Sequence, residues 1–254
     1  MSKNRSGLED SFCNGYFWEL YRDLEHQFRS FLEYVPYLPG NEKTYSFKLL
    51  NLILSIGGHV DSAFKQMAEY PDFASNGNCQ EIAKLVEKSE ENVRKGKGPI
   101  TVKISLPLKA FDDLYGISEE RILFKRLPKR EFVQPFLSHN PKTDAPEWWE
   151  TYNGLKHHLS RHIKNANLVN ALNALAGAFL LNVRHIPAMK RLYDFGLLKV
   201  AWTDKFVGKR ARDEWPEADF LECIKSVAFV QKSPFFIETP IFLYYYARGE
   251  DNDE

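Results

Sequence analysis

Cysteine is scarce in this 254-residue chain: Cys13, Cys79 and Cys223 are odd in number and far apart. That usage excludes a disulfide framework and a cysteine zinc site, and it fits a reducing compartment. Net charge is absent too, because 34 Lys and Arg balance 34 Asp and Glu. No overall field draws the molecule to nucleic acid or membrane, so any such binding must come from local patches. The stretch Met1 to Asp10 is polar and lacks the apolar core of a signal peptide. The longest apolar run, Leu168 to Val183, is short for a bilayer span and carries Asn170, Asn173 and Asn182. A glycine-rich phosphate loop and an internal repeat are both missing. These absences lead to the expectation of a cytoplasmic protein with no membrane segment and no cofactor.

What is present is a folded core, since 44% of residues are hydrophobic and 14% aromatic. Phe17, Leu20, Tyr21, Leu24, Phe28, Phe31, Leu32 and Val35 repeat at the spacing of one helical face, and Pro36 closes that helix. A second helix is expected from Thr44 or Ser46, whose hydroxyls can cap it, to about Tyr70. Its apolar residues, Phe47 among them, go well round the cylinder, while Asn51, Ser55, His59, Ser62 and Gln66 form one polar stripe read as a solvent face. Asn78 to Glu81 has the form of a capping box for a shorter helix ending at Lys95-Gly96. Strict alternation from Ile100 to Leu106 predicts a half-buried strand, followed by a helical piece at Phe111 to Tyr115 and a strand at Arg121 to Leu127. Two helices are expected at Glu147 to His162 and Asn165 to Arg184, the second with small residues Ala174, Gly177 and Ala178 that permit close packing. Leu197 to Trp202, Ser226 to Gln231 and Phe235 to Tyr246 are strand-like, and Gly249 to Glu254 is an acidic tail.

The chemistry concentrates in Trp148 to His162, which holds three of the seven histidines and two of the five tryptophans. On an unbroken helix, Trp148, Tyr152, Leu155 and Leu159 form the core stripe. Trp149, Asn153, Lys156 and Ser160 share a second face, and His158 and Arg161 a third. His158 and His162 have the four-residue spacing of a metal pair, but no Glu follows His158 and no third ligand is near in sequence. Metal-free RNA cleavage is the more economical chemistry. It needs an imidazole for the 2′-hydroxyl proton (His157, His158 or His162), cations for the phosphate (Lys156, Arg161) and a polar orienting group (Asn153). The competing account is that these are solvated residues favourable against a helix C-terminal dipole. The basic runs Lys125 to Arg130 and Lys205 to Arg212 are further candidates to guide nucleic acid.

The segment Tyr152-Asn153-x-Leu155-Lys156-His157, entering an alanine- and leucine-rich helix, resembles HEPN-domain proteins, as does the order of the long helices. Those are helical bundles, many of them metal-independent ribonucleases of toxin, phage-defence and RNA-processing systems. The resemblance covers about half the chain and leaves out Ile100 to His139 and the C-terminal third. The family signature is an Arg, then usually Asn, His or Asp, then a His a few residues on. Lys156 stands in the Arg position, with His157 next and His162 at the closing His, while Arg161-His162 is followed by Asn167 where a His is required. The resemblance implies a HEPN-like antiparallel helical bundle, and the strand-like stretches outside it add a β-containing insertion and a mixed C-terminal segment, so the chain is expected to be mainly α, α+β overall. One domain over 1–254 is expected, with a helical core at about 12–95 and 146–186, the insertion at about 100–140 and the extension at about 190–246. The resemblance also implies an RNA substrate and a homodimer, since the family's active centre commonly forms where two subunits meet. The alternative is a catalytically inactive helical protein that binds RNA, nucleotide or a protein partner, the last through a face bearing Trp149 and Lys156.

Overall fold

The helical repeats emerge as helices packed by their apolar stripes. A computed structural model describes residues 15–67, 77–100, 103, 105–125, 131–137, 145–185, 192, 197–200 and 235–245. Its helices are α1 (Tyr16–Leu32), α2 (Phe47–Met67), α3 (Gly77–Arg94), α4 (Ser105–Tyr115), α5 (Glu147–His157), the single turn α6 (Leu159–His162) and α7 (Leu168–Arg184). The short strands are β1 (Ile122–Phe124), β2 (Glu131–Val133), β3 (Leu198–Val200), β4 (Phe235–Glu238) and β5 (Phe242–Tyr245). The protein is mainly α with a small antiparallel sheet, as its helical periodicity predicts. Among the described residues no helix is long and apolar enough to cross a membrane.

α2 is central. Leu49, Leu50, Leu52, Ile53, Ile56, Val60, Ala63, Phe64 and Met67 are all buried, and α1, α5 and α7 pack around them. Ser46 caps the helix as expected, its hydroxyl accepting the Leu49 amide at 3.1 Å. Phe17 of α1 meets His59, far along α2, at 4.9 Å between rings, and Trp18 and Tyr21 meet Phe179 of α7 at 6.3 and 5.5 Å. The start of α1 therefore lies against the later parts of α2 and α7, the antiparallel arrangement of a bundle. α7 is buried over most of its length, and Gly177 lets the Trp148 ring come so close that a Cβ there would sit 3.0 Å from it.

The sheet runs in the order β2-β1-β5-β4-β3. β1 pairs with both β2 and β5, so strands from the insertion and from the C-terminal segment form one sheet. Its buried face carries Phe124, Ile237, Phe242 and Tyr244. Phe242 stacks on Phe179 at 5.4 Å and Phe124 meets Tyr37 edge-on at the same distance. A buried carboxylate adds a polar tie: Glu25 of α1 accepts the Tyr21 hydroxyl at 3.2 Å and the Thr239 hydroxyl, and Thr239 in turn accepts the Phe242 amide at 3.0 Å. Burial and the neighbouring Glu25 charge hold the Tyr21 phenol well above its usual range, so it stays a donor.

Several expectations are corrected. Ser105 and Leu106 are the first turn of α4 rather than the end of a strand; residues 101, 102 and 104 lie outside the described set. Pro107 sits in that first turn, where its missing amide hydrogen costs no bond. The helix expected from Glu147 to His162 breaks at His158, whose φ of −143° and ψ of 56° leave the helical region. The helix expected from Asn165 begins at Leu168, after a 3₁₀ turn over Ile163–Asn165. The polar stripe of α2 faces solvent at Asn51, Ser55 and Ser62, but His59 is buried at 4% exposure. Of the strand-like C-terminal stretches, Ser226 to Gln231 lies outside the described residues.

A Cβ at Gly57 would lie 2.2 Å from the Tyr152 ring, whereas one at Gly58 meets nothing within 4 Å. Alanine gains about 1 kcal/mol of helix propensity at either position, but overpacking costs about 1–3 kcal/mol. Gly58→Ala is expected to raise stability in a denaturant titration and Gly57→Ala to lower it; the same sign at both positions contradicts the Gly57–Tyr152 contact. His59 is held neutral, its pKa pushed down to about 4 by burial, and its Nδ1 has no hydrogen-bond partner among the described residues. The unfolded chain takes up that proton near an ordinary histidine pKa of about 6.5, so stability is full above that pH and falls as pH drops toward 4. His59→Leu should flatten this pH slope by about one proton. An unaltered slope shows that His59 is protonated while the protein is folded.

Candidate functional site

The break at His158 is imposed from a distance. The segment before α2 and the one before α7 pair antiparallel at Tyr45 and Asn167. The Ser46 amide donates to the Ala166 carbonyl at 3.4 Å, Leu168 to Thr44 at 3.0 Å and Val169 to Glu42 at 3.2 Å. These bonds hold the starts of α2 and α7 side by side, and the chain leaving α5 must turn to reach them. Asn170 secures the turn from inside: its amide nitrogen donates to the Thr151 hydroxyl of α5 and to the Asn165 carbonyl, both at 3.0 Å. Asn167 caps α7 by accepting the Asn170 amide at 3.0 Å.

The result is an open surface groove of about 660 Å³ between the start of α2 and the broken segment. Phe47, Leu159 and Ile163 give it apolar surface, and His157, His158 and Arg161 give it imidazoles and a cation; Ser160 completes the lining. Phe47 is 71% exposed and Leu159 45%. The two imidazoles and the guanidinium are exposed as well, and no described residue covers the groove.

The residues predicted from sequence separate into two groups. His157 and Arg161 share the groove with His158. Lys156, Asn153 and His162 do not line it. Lys156 lies with its Nζ 5.5 Å from the centroid of the Tyr152 ring, a cation–π contact on that side of α5. His162 folds back on Gly154, where an added Cβ would come within 2.7 Å of the imidazole, and its Nδ1 is 3.5 Å from the Asn165 amide. Gly154 and Tyr152 are two residues apart and so on opposing sides of the helix. Within one chain Lys156 and His162 are therefore held apart, and Asn153 is half-buried.

Trp149 also departs from expectation. It is 5% exposed, its ring 5.6 Å from Trp148 and 4.9 Å from Tyr152, so it presents no face to a partner. Leu159, expected in the core, is released to the surface by the break. Of the basic runs, Lys125 is engaged with Glu238 and the Thr239 carbonyl, and the remainder of both runs lies outside the described residues. No group of three His, Cys, Asp or Glu among the described residues could hold a metal ion. The apolar positions of α2 go well round the cylinder, Phe47 among them, yet Phe47 faces out; no local signal separates a first-turn aromatic that faces out from one that faces in.

No protein-family model matches the chain, and no curated protein or solved structure matches it.

Because Asn170 holds the turn, its loss should be felt at the groove. Asn170→Leu leaves the Thr151 hydroxyl and the Asn165 carbonyl without a partner and is expected to cost about 2–3 kcal/mol. Amide exchange should accelerate across 159–166 more than in α1. Equal acceleration in both places shows that Asn170 serves the whole bundle rather than this turn.

Proposed function

We propose that the groove binds single-stranded RNA and cleaves it without a metal ion. The observation that carries this reading is the joint presence of His157, His158 and Arg161 in one open groove. The resemblance to HEPN-domain ribonucleases points to the same class of chemistry, although of its signature positions only His157 lines the groove. Cleavage by 2′-hydroxyl attack requires one group to take a proton and one to give a proton, and imidazole does both near neutral pH. One of the two histidines removes the 2′-hydroxyl proton as that oxygen bonds to phosphorus. The other, protonated, gives its proton to the departing 5′-oxygen as the P–O5′ bond breaks. The products are a 2′,3′-cyclic phosphate and a free 5′-hydroxyl. Arg161 holds the non-bridging oxygens as charge builds on them, with two parallel donors where a lysine offers a point charge. Lys156 and His162, separated within one chain, have no part in this scheme.

The test is incubation of purified protein with single-stranded RNA in excess chelator. Cyclic-phosphate ends are expected, with the rate lowered roughly 10²- to 10⁴-fold by His157→Ala or His158→Ala. Arg161→Lys should lose more in kcat than in KM. Absence of cleavage, or cleavage indifferent to both histidine substitutions, overturns the reading; binding without cleavage leaves a non-catalytic RNA-binding protein.

A further inference from the structure

The scheme above gives Phe47 no task, although it is the most exposed large apolar residue of the groove, at 71%. Elsewhere on α2 the large apolar side chains Leu49, Leu50, Leu52, Ile53, Ile56, Phe64 and Met67 turn into the core. The backbone that carries Phe47 is fixed on both sides. Ser46 donates to the Ala166 carbonyl at 3.4 Å, accepts the Leu49 amide on its hydroxyl at 3.1 Å and accepts the Leu50 amide on its carbonyl at 2.9 Å. The ring is thus displayed from the first turn of a buried helix rather than from a loop. Across the groove stand His157, His158 and Arg161, and among the described residues no carboxylate lines it.

This combination selects among occupants. A purely apolar helix would leave the guanidinium and the imidazoles to be desolvated without partners, at a cost. An acidic segment would answer the charge and waste the ring. A nucleotide answers both, because its phosphate takes the cation and its base has a π-face to lay on an aromatic ring. The groove volume of about 660 Å³ falls within the roughly 300–1,000 Å³ of small-ligand sites. We propose that Phe47 is a stacking platform for a nucleobase of single-stranded RNA, with the adjoining phosphate held at Arg161. The proposal deepens the RNA reading of the same groove and rests on it.

The experiment uses an uncleavable 2′-O-methyl RNA oligonucleotide containing 2-aminopurine, whose fluorescence is quenched when it stacks. The wild-type protein should bind and quench, Phe47→Tyr should retain both, and Phe47→Leu should lose the quench and bind about tenfold more weakly. Leu keeps apolar bulk without a π-face, so a Phe47→Leu variant that binds and quenches as the wild type does overturns stacking. Failure of the wild type to bind the oligonucleotide also overturns it. If Phe47→Leu instead abolishes self-association or binding of a protein while RNA binding is unchanged, the residue belongs to a protein interface and the proposal falls. Binding and quenching by a protein that never cleaves an ordinary RNA supports the platform and removes only the ribonuclease reading.

Discussion

Asn170 holds together three pieces of chain that have no local reason to meet: the middle of α5 through Thr151, the 3₁₀ turn through the Asn165 carbonyl, and α7, on which it sits. An amide buried to 3% exposure is tolerable only because it finds these partners. Once it does, the route from α5 to α7 is set, and the antiparallel pairing of Tyr45 with Asn167 sets where α2 begins relative to both. The groove follows from that constraint. It is the surface left when a helix that could have continued is stopped at His158 and folded toward the start of α2.

The rest of the fold supports this corner from behind. Phe179 joins α1 and the sheet by meeting Trp18, Tyr21 and Phe242, each ring within 6.3 Å. Buried aromatic side chains of this kind contribute about 1.5–3 kcal/mol each when removed from water. The histidines follow the same division. His59 and His185 are buried and held neutral, with pKa values pushed down to about 4 and about 3 by desolvation. They are therefore parts of the core, whereas His157 and His158 stand in the open groove. Position rather than residue type separates structural from chemically available imidazoles here.

Much of the bundle is readable from residue order alone, because helical periodicity is a local property. The core faces of α1, α2 and α7, apart from Leu20 and Phe47, which are exposed, follow from spacing and side-chain size, as do the Ser46 cap and the close approach allowed by Gly177. The site was less legible for the opposite reason. Nothing between His157 and Ala166 is a helix breaker by composition; the break comes from hydrogen bonds to residues 42–46, over a hundred positions earlier. His157 and Arg161, four residues apart, would share one side of an unbroken helix; what the break adds is Leu159, turned from the core stripe to the surface of the same groove. The same long-range pairing places Phe47 beside them, which no local pattern could announce. The sheet is obscured similarly, since β1 pairs with a strand far along the chain, Leu123 opposite Leu243 and Phe124 opposite Phe242.

The proposed occupancy of the groove between Phe47 and Arg161 by RNA is open to a direct test. The most direct measurement is photocrosslinking of an uncleavable RNA carrying 4-thiouridine, with the adducts mapped by mass spectrometry. The account predicts adducts within 45–47 and 157–163, competed away by unlabelled RNA. Adducts confined to other surfaces, such as the exposed faces of α3 or α4, would contradict it.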